Sequence, residues 1–397
     1  MGDIPLKGKP TPLDAAKTPN LDKLAAEGVC GLMHTIGFGV VPGSDTAHLA
    51  IFGYDPYEKY EGRGVYEALG AGLELKPGDV AFRGNFATVN NKIKVTDRRA
   101  GRIREGGDEL AAALNNMKLK GGVKAVVKHT VDHRLAVVFR GKGLSSKVSG
   151  TDPHYEKIIV PPSEALDKSK EAKKTAAAID EFTKKCYSIL SKQAVNKKRE
   201  KQGKPPANIV LLRGAGKYSP MEPIGKRYGV KAACIAAGAL YRGVAKAVGM
   251  DLLEVKGITG GADTDLDAKV NAALKALKKY DYVFVHIKAT DNFSHDGDCK
   301  GKKKFIEKID VALGKLMKKM DGETYVVVTA DHSTACSLKR HTSDPVPFVI
   351  HSPILRVDNV YKYSERECEK GALGHFKGTD VTPMIMDAID RAKKFGA

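Results

Sequence analysis

A short apolar run from Tyr325 to Thr329 ends abruptly in Ala330-Asp331-His332-Ser333-Thr334. Its three consecutive valines predict a strand buried on both faces, as in the sheet of an α/β protein. In such sheets, ligands bind just beyond the carboxyl ends of the strands. Asp331 and His332 are therefore candidate metal ligands. From this stretch alone, a solvated Asp-His pair that merely ends the strand explains the pattern equally well.

Two further segments place the same residue types next to an apolar run. Tyr280–Lys288 predicts a strand, and the segment after it carries Asp291 and His295, close enough to hold one ion in a helical turn or a compact loop. His341 precedes another apolar run, Phe348–Ile350. Carboxylate and imidazole groups together favour zinc or manganese over a soft-metal site.

Chain length and the pattern of elements predict two domains. A chain of 397 residues exceeds one typical core. Strand and helix patterns that alternate along residues 204–397 predict an α/β fold with a mainly parallel sheet flanked by helices. From about Phe82 the pattern changes to a smaller α+β unit with a long lysine-rich helix. We therefore assign residues 1–79 and 204–397 to a metal-binding core and residues 80–203 to an inserted domain.

Composition narrows the function classes. No run approaches the roughly 18 apolar residues of a membrane span, and the N-terminus has no signal-peptide core, so no membrane partner is expected. Six scattered cysteines without CxxC spacing fit a reducing cytoplasm. The net charge of +19 suits a nucleic-acid binder or an enzyme for anionic metabolites. The lysine-rich stretches carry few aromatic residues, which argues against nucleic acid.

Ser44 lies where a helix is predicted to begin, because it follows Pro42-Gly43 and precedes an apolar helical pattern. Free backbone N–H groups and the positive end of the helix dipole favour a phosphate at such a position. The alternative from local sequence is that Ser44 only caps this helix.

Arginines of the predicted inserted domain are candidate ligands for an anionic substrate. Arg98, Arg99 and Arg102 lie close together, and Arg134 follows His133. Arginine forks pair with phosphate and carboxylate through two hydrogen bonds. We expect two or three of these arginines to contact substrate and the others to be surface charge only.

Motifs spread in order over essentially the whole chain resemble the archaeal-type cofactor-independent (2,3-bisphosphoglycerate-independent) phosphoglycerate mutases, within the alkaline phosphatase-like metalloenzyme superfamily. The segments that carry the resemblance are Thr18-Pro19-Asn20-Leu21-Asp22, Pro42-Gly43-Ser44-Asp45-Thr46-Ala47-His48, Gly53-Tyr54-Asp55-Pro56, Phe82-Arg83-Gly84-Asn85-Phe86-Ala87-Thr88, Asp97-Arg98-Arg99-Ala100-Gly101-Arg102, Asp291 to Asp298, Ala330 to Thr334 and His341 to Pro347. The resemblance implies an alkaline phosphatase-like core with an inserted α+β domain. It also implies an isomerase that interconverts 3-phosphoglycerate and 2-phosphoglycerate in glycolysis and gluconeogenesis.

The resemblance further implies a two-metal phosphotransfer site with a phosphoserine intermediate on Ser44. Ser44 would touch one ion, whose other protein ligands would be Asp331 and His332. The ligands of the second ion would be Asp291, His295 and His341. The ions would be manganese, or zinc, cobalt or magnesium, and no bisphosphoglycerate would be required.

Substrate contacts follow from the same resemblance. The inserted domain would act as a lid, and its arginines would hold the glycerate carboxylate. In the related long enzymes a lysine next to a tyrosine assists at the transferred phosphate. The nearest match here is Lys226-Arg227-Tyr228, so Lys226 and Arg227 are both candidates.

The beginning of the chain departs from the family pattern. Family members begin with an apolar strand ending in D-G-M-G-D, whose first Asp is a metal ligand. This sequence starts at Met1-Gly2-Asp3, as if inside that motif, and Asp3 matches the second Asp. We expect a truncated start, with low activity that a prepended strand ending in Asp-Gly would raise. A genuine variant with a weakened site is the alternative.

Two other interpretations stay open at this point. One is a metal-dependent phosphomonoesterase or a different phosphomutase on the same core, because a fold alone does not fix the substrate. The other is a basic nucleic-acid-binding or scaffold protein with a degenerate site.

Overall fold

Strands and helices follow one another along most of the chain in this computed structural model. The structure describes residues 1–352, 354, 356–392, 394 and 396. The strands among these residues are β1 (Gly28–His34), β2 (Val80–Val89), β3 (Val95–Asp97), β4 (Met117–Leu119), β5 (Val123–His129), β6 (Arg134–Arg140), β7 (Ile209–Lys217), β8 (Ala232–Ile235), β9 (Asp251–Leu252), β10 (Tyr282–Val285), β11 (Val326–Val328), β12 (Ser333–Ala335), β13 (Arg340–Thr342), β14 (Val346–His351) and β15 (His375–Lys377).

The α-helices range from single turns to nearly six turns, in the 21 residues of Lys170–Leu190. They are α1 (Pro12–Ala15), α2 (Pro19–Ala26), α3 (Ser44–Ile51), α4 (Pro56–Lys59), α5 (Arg63–Gly70), α6 (Gly107–Leu114), α7 (Lys170–Leu190), α8 (Ala194–Lys201), α9 (Ile224–Tyr228), α10 (Ala239–Ala247), α11 (Leu266–Leu277), α12 (Ala289–Asp296), α13 (Cys299–Met317), α14 (Glu365–Cys368) and α15 (Val381–Ala388). Within the described ranges, none of them combines the length and the apolarity that crossing a membrane requires.

The chain forms two compact units. The first unit consists of Met1–Tyr60 and Glu222–Ala397, and the second of Glu61–Met221. The second unit is wider than the predicted inserted domain, residues 80–203, at both ends. The reason is packing around one strand: β7 pairs with β2, and α5 packs against both. The division is therefore set by long-range strand pairing rather than by a change in local composition.

The first unit contains two separate sheets of three or more strands. The strand order of one is β11-β14-β1-β15, and the order of the other is β10-β8-β9. The three-stranded sheet is parallel, as predicted. In the four-stranded sheet, however, β14 runs antiparallel to both β1 and β11, so the prediction of a mainly parallel sheet is wrong there. Only the β12-β13 hairpin separates β11 from β14, and a connection of that kind brings the chain back antiparallel.

One edge strand of each of these two sheets lines a common cavity. Among the described strands, β10 and β11 are each the last strand of their sheet. Both line a cavity of about 620 Å³ together with apolar residues of α11 and α13. The predicted strand with three valines is present as Val326–Val328, but only Val326 is buried. The expectation of burial on both faces is therefore wrong for this strand, because it lies at a sheet edge beside the cavity.

The second unit is built on one antiparallel sheet. Its strand order is β3-β2-β6-β5-β4, and β7 is a further strand that pairs with β2. Long helix α7 begins at the N-cap Ser169, whose side chain accepts a hydrogen bond from the backbone N–H of Ala172. Its buried face packs Phe182 against Phe139 of the sheet, and Phe139 in turn contacts Phe82. This layer of helix on sheet forms the core of the unit.

Candidate metal centre

Six predicted site residues lie together in the first unit, beyond the carboxyl ends of β10 and β11. Asp291 and His295 lie on α12, which directly follows β10. Asp331 and His332 follow β11, and His341 lies on β13. The sixth residue, Ser44, is the first residue of α3. The side chains predicted from the ends of separate apolar runs therefore converge on one place.

One group of donor atoms comes from Asp291, His295 and His341. Asp291 Oδ1 lies 3.3 Å from His295 Nε2 and 3.6 Å from His341 Nε2. The two imidazole Nε2 atoms lie 3.3 Å apart. Their position follows from local structure, since α12 ends in Gly297 with left-handed φ and α13 begins with Asp298 as its N-cap. The short helix thus presents residues four apart on one face.

A second group of donor atoms comes from Ser44, Asp331 and His332. Ser44 Oγ lies 3.1 Å from His332 Nε2, which lies 3.2 Å from Asp331 Oδ2. The two groups adjoin, because the rings of His332 and His341 stack with centroids 3.6 Å apart. Potential ligand atoms of Asp291, His332 and His341 all lie within 4.8 Å of one another.

The structure distinguishes between the two predicted roles of Ser44, a position for phosphate and a cap of helix α3. The N-cap of α3 is Gly43, and no side chain caps this end. The Ser44 side chain is 9% exposed and points to His332 rather than to its own helix. His48, one turn later, places Nδ1 2.6 Å from the Ser44 carbonyl oxygen and fixes this first turn. The interpretation of Ser44 as a mere helix cap is therefore wrong.

In His295, His332 and His341, the Nδ1 atom has a hydrogen-bond partner outside the two ligand groups. His295 Nδ1 lies 3.0 Å from the Lys339 carbonyl oxygen, and His341 Nδ1 lies 3.0 Å from the Pro42 carbonyl oxygen. A carbonyl oxygen can only accept, so these Nδ1 atoms carry the proton. His332 Nδ1 lies 3.0 Å from the hydroxyl of Thr334. Such partners orient metal-binding histidines and leave Nε2 available to the metal.

The spacing of the donor atoms fits divalent cations. A tetrahedral ion with ligands at about 2.1 Å needs donor atoms about 3.4 Å apart. In the group of Asp291, His295 and His341 the three separations are 3.3, 3.3 and 3.6 Å. In the group of Ser44, Asp331 and His332 the two contacts are 3.1 and 3.2 Å. Both groups combine carboxylate oxygen with imidazole nitrogen, which suits zinc or manganese.

The electrostatics also favour bound cations. Burial would raise the pKa of Asp291, but His341 and Lys288 lower it far below its ordinary value. Burial would also raise the pKa of Asp331, but His332, His48 and His286 lower it well below its ordinary value. Burial lowers the pKa of His341, and its contacts with Asp291 and the Pro42 carbonyl raise it overall. The carboxylates are thus ionised, and their negative charge would stabilise a divalent ion bound beside them.

Two residues of the centre escaped the sequence analysis. Lys288 Nζ lies 2.7 Å from Asp291 Oδ2, and Thr334 Oγ1 lies 2.9 Å from Asp291 Oδ1. Thr334 belongs to the Ala330–Thr334 motif, but its residue type alone does not indicate a role. Lys288 ends a predicted strand, where a solvated lysine is the ordinary expectation.

The predicted substrate-binding arginines of the second unit have different surroundings. Arg98 forms a two-pronged ion pair with Asp152, with distances of 3.0 and 2.8 Å. Arg99 and Arg134 are exposed and both lie near His133, whose pKa falls to about 4 through burial and these charges. Arg102 is exposed, and its backbone has a φ of 52°. Of these four predicted arginines, Arg99 and Arg134 are the two exposed residues that lie beside His133.

A basic cluster in the second unit lies around Arg83, Asn85, His133 and Arg213. In the register of β2 with β7, Arg83 lies opposite Arg213, and Asn85 lies opposite Arg134 of β6. Within the described residues, one buried polar atom of each cluster member lacks a hydrogen-bond partner. Burial, together with the neighbouring arginines, lowers the pKa of Arg83 to about 9 although Glu67 is close. An anion would relieve the repulsion between the arginines and would accept hydrogen bonds from the Nε–H groups of Arg83 and Arg213.

Lys226 and Arg227 lie on α9 in the first unit. The Arg227 guanidinium lies over the ring of Tyr54, 5.0 Å from its centroid, and 5.3 Å from that of Tyr228. Lys226 is exposed. Both side chains are exposed, and Arg227 differs from Lys226 in its contact with the two tyrosine rings.

Comparison with known proteins gives one consistent result. A family model described as 2,3-bisphosphoglycerate-independent phosphoglycerate mutase matches residues 25–196. The chain is 50% identical to a 2,3-bisphosphoglycerate-independent phosphoglycerate mutase of Ignicoccus hospitalis over 404 aligned positions, covering 100% of this chain and 97% of the relative. It is 47% identical to a Methanocaldococcus jannaschii protein of the same name, again over 100% of this chain and 97% of the relative.

Two solved structures resemble this protein over nearly its full length. One is a protein from Pyrococcus horikoshii, with a TM-score of 0.86 and 39% identity, covering 100% of this chain and 97% of that one. The other is described as a cofactor-independent phosphoglycerate mutase from Thermoplasma acidophilum, with a TM-score of 0.71 and 33% identity, covering 96% and 94%.

Proposed function

This chain belongs to the family of 2,3-bisphosphoglycerate-independent phosphoglycerate mutases, and we propose that it interconverts 3-phosphoglycerate and 2-phosphoglycerate through a phosphoserine on Ser44. The observation that carries the proposal is the position of the Ser44 hydroxyl, 3.1 Å from His332 Nε2 at the meeting point of both ligand groups. This reaction belongs to glycolysis and gluconeogenesis. The predicted alkaline phosphatase-like core is part of the same proposal.

The residues present fit two divalent cations. Asp291, His295 and His341 would hold one ion, and Asp331, His332 and Ser44 the other. When bound, such ions lower the pKa of a coordinated hydroxyl and stabilise charge on the transferred phosphoryl group. We infer manganese first, because the ligands are carboxylate and imidazole, with zinc, cobalt or magnesium as alternatives.

The chain's own residues account for the transfer in two half-reactions. The Ser44 hydroxyl loses its proton, and its oxygen forms a bond to phosphorus as the bond from phosphorus to the substrate's C3 oxygen breaks. The C3 oxygen gains a proton, which leaves glycerate. The C2 hydroxyl of the same glycerate then loses its proton and attacks phosphorus of the phosphoserine, and the Ser44 oxygen leaves and regains its proton. The first turn of α3, held by His48, directs backbone N–H groups toward the phosphoryl group.

A mutase must also retain glycerate between the two half-reactions, because its release would leave phosphoserine open to hydrolysis. The basic cluster of the second unit is a candidate for this step, since the Nε–H donors of Arg83 and Arg213, which have no hydrogen-bond partner among the described residues, suit the carboxylate of glycerate. Arg99 and Arg134 would assist there, and the exposed Arg102 is the weakest of the predicted substrate contacts. Arg98 would act through Asp152, with which it pairs. Lys226 and Arg227 remain candidates at the transferred phosphate.

One assay separates this function from its rivals. The protein is incubated with 3-phosphoglycerate and Mn²⁺, product is followed through enolase, and free phosphate is measured in parallel. Enolase-coupled product without phosphate supports the mutase. Phosphate release alone shows a phosphomonoesterase, and the absence of both from a protein that binds Mn²⁺ refutes phosphotransfer on this substrate.

A further inference from the structure

Thr334 contacts three ligand residues from one position. It is the central residue of β12 and is 3% exposed. Its hydroxyl lies 2.9 Å from Asp291 Oδ1 and 3.0 Å from His332 Nδ1. Its backbone pairs with that of His341 across the β12-β13 hairpin. Thr334 therefore touches members of both ligand groups without being a ligand itself.

Hydrogen-bond chemistry fixes the direction of these contacts. A hydroxyl has a single proton, and the ionised carboxylate of Asp291 can only accept, so Thr334 donates to Asp291. The lone pairs of the hydroxyl are then left to accept from Nδ1–H of His332. That proton position leaves the Nε2 lone pair of His332 directed at Ser44 Oγ, 3.1 Å away. One hydroxyl thus sets both the position of a carboxylate and the tautomer of an imidazole.

The backbone of Thr334 is held as firmly as its side chain. Lys302, which is 1% exposed, donates from Nζ to the Thr334 carbonyl oxygen at 3.1 Å. The Thr334 N–H donates to the Gly2 carbonyl oxygen at 3.2 Å. With its main chain fixed on both sides, the hydroxyl has little freedom to follow other partners.

We propose that Thr334 is a positioning residue that couples the two metal sites, holding Asp291 of one site and His332 of the other in register. This inference rests on the proposed two-metal function. Removal of its hydroxyl frees the His332 ring to adopt the other tautomer and leaves an Asp291 oxygen without its donor. Both ions should then bind more weakly, even though no ligand has changed.

The test is Mn²⁺ binding to metal-depleted protein, measured by calorimetry without substrate. Thr334→Val removes the hydroxyl and keeps the branched shape. We expect weaker binding of both ions, by about 10–100-fold, the usual effect of losing a partner of a metal ligand. Thr334→Ser keeps the hydroxyl and should bind both ions as the parent does.

Thr342→Val is the matched control on the other strand of the same hairpin. Thr342 lies opposite Ser333, and its buried Oγ1 has no hydrogen-bond partner among the described residues. This control should keep the parent's Mn²⁺ affinity. Parent-like binding of both ions by Thr334→Val, or a loss confined to one ion, would overturn the coupling.

A second readout does not depend on metal. Nitrogen-15 shifts of the His332 ring in the metal-free parent should show the proton on Nδ1, and those of Thr334→Val a mixture of tautomers. An unchanged tautomer would overturn the inference. If Thr334→Val does not fold, Thr334→Ala takes its place in both measurements. A parent that binds two ions but lacks mutase activity would refute the proposed function and leave this inference standing.

Discussion

Replacement of Lys302 by Met should destabilise the first unit strongly. The Lys302 ammonium is buried and donates to the Gly2 carbonyl oxygen at 2.8 Å, to Asp3 Oδ2 at 2.9 Å and to the Thr334 carbonyl oxygen at 3.1 Å. Met keeps the length of the side chain but leaves the carboxylate of Asp3, itself 5% exposed, without its cation. Breaking a buried pair in this way costs about 3–5 kcal/mol.

The loss can be measured as the free energy of unfolding in urea and as a change in melting temperature. At roughly 2–4 °C per kcal/mol for a unit of this size, the melting temperature should fall by roughly 6–20 °C. Lys315→Met is the matched control, because Lys315 lies on the same helix, α13, and pairs with Asp267 at 2.6 Å, but its side chain is 50% exposed. Exposed pairs contribute only about 0–1 kcal/mol.

The comparison of the two lysines decides the argument. If Lys302→Met destabilises no more than Lys315→Met, burial of the Lys302–Asp3 pair is not what stabilises this region. The double variant Lys302→Met with Asp3→Asn should recover part of the loss, since it removes the unpaired charge as well. A double variant that is less stable than Lys302→Met would contradict the electrostatic explanation.

Three further predictions concern the candidate metal centre. Ser44→Ala should abolish turnover without lowering the melting temperature, and mutase flux in that variant would exclude the covalent route. His341→Ala should weaken Mn²⁺ binding, because it removes one of three donors around one ion; unchanged metal content and rate would remove His341 from the ligands. Mn²⁺ affinity should rise as the pH rises through the elevated pKa of His341, because the ion must displace the proton that Asp291 stabilises on this imidazole. Calorimetry at several pH values tests this prediction. An affinity that does not change with pH would contradict it.

Sequence patterns indicated the candidate ligands that lie together in the structure, because the relevant signals are local. Asp331 and His332 follow an apolar run directly, and Asp291 and His295 are four positions apart after another. The basic cluster shows the opposite case, since Arg213 lies beside Arg83 only through the pairing of β7 with β2. Nothing near Arg213 in the sequence indicates this neighbour. Burial of β11 was likewise misjudged, because three valines do not reveal that the strand lies at a sheet edge.

The orientation of the ligands depends on groups that sequence patterns cannot show. Two of the three candidate ligand histidines are held through Nδ1 by backbone carbonyls, those of Pro42 and Lys339. Every residue type supplies a carbonyl, so side-chain changes at these two positions leave the hydrogen bond in place as long as the backbone keeps its path. The third histidine, His332, depends on the side chain of Thr334. Of the three supports, the Thr334 hydroxyl is therefore the one that a side-chain substitution removes directly.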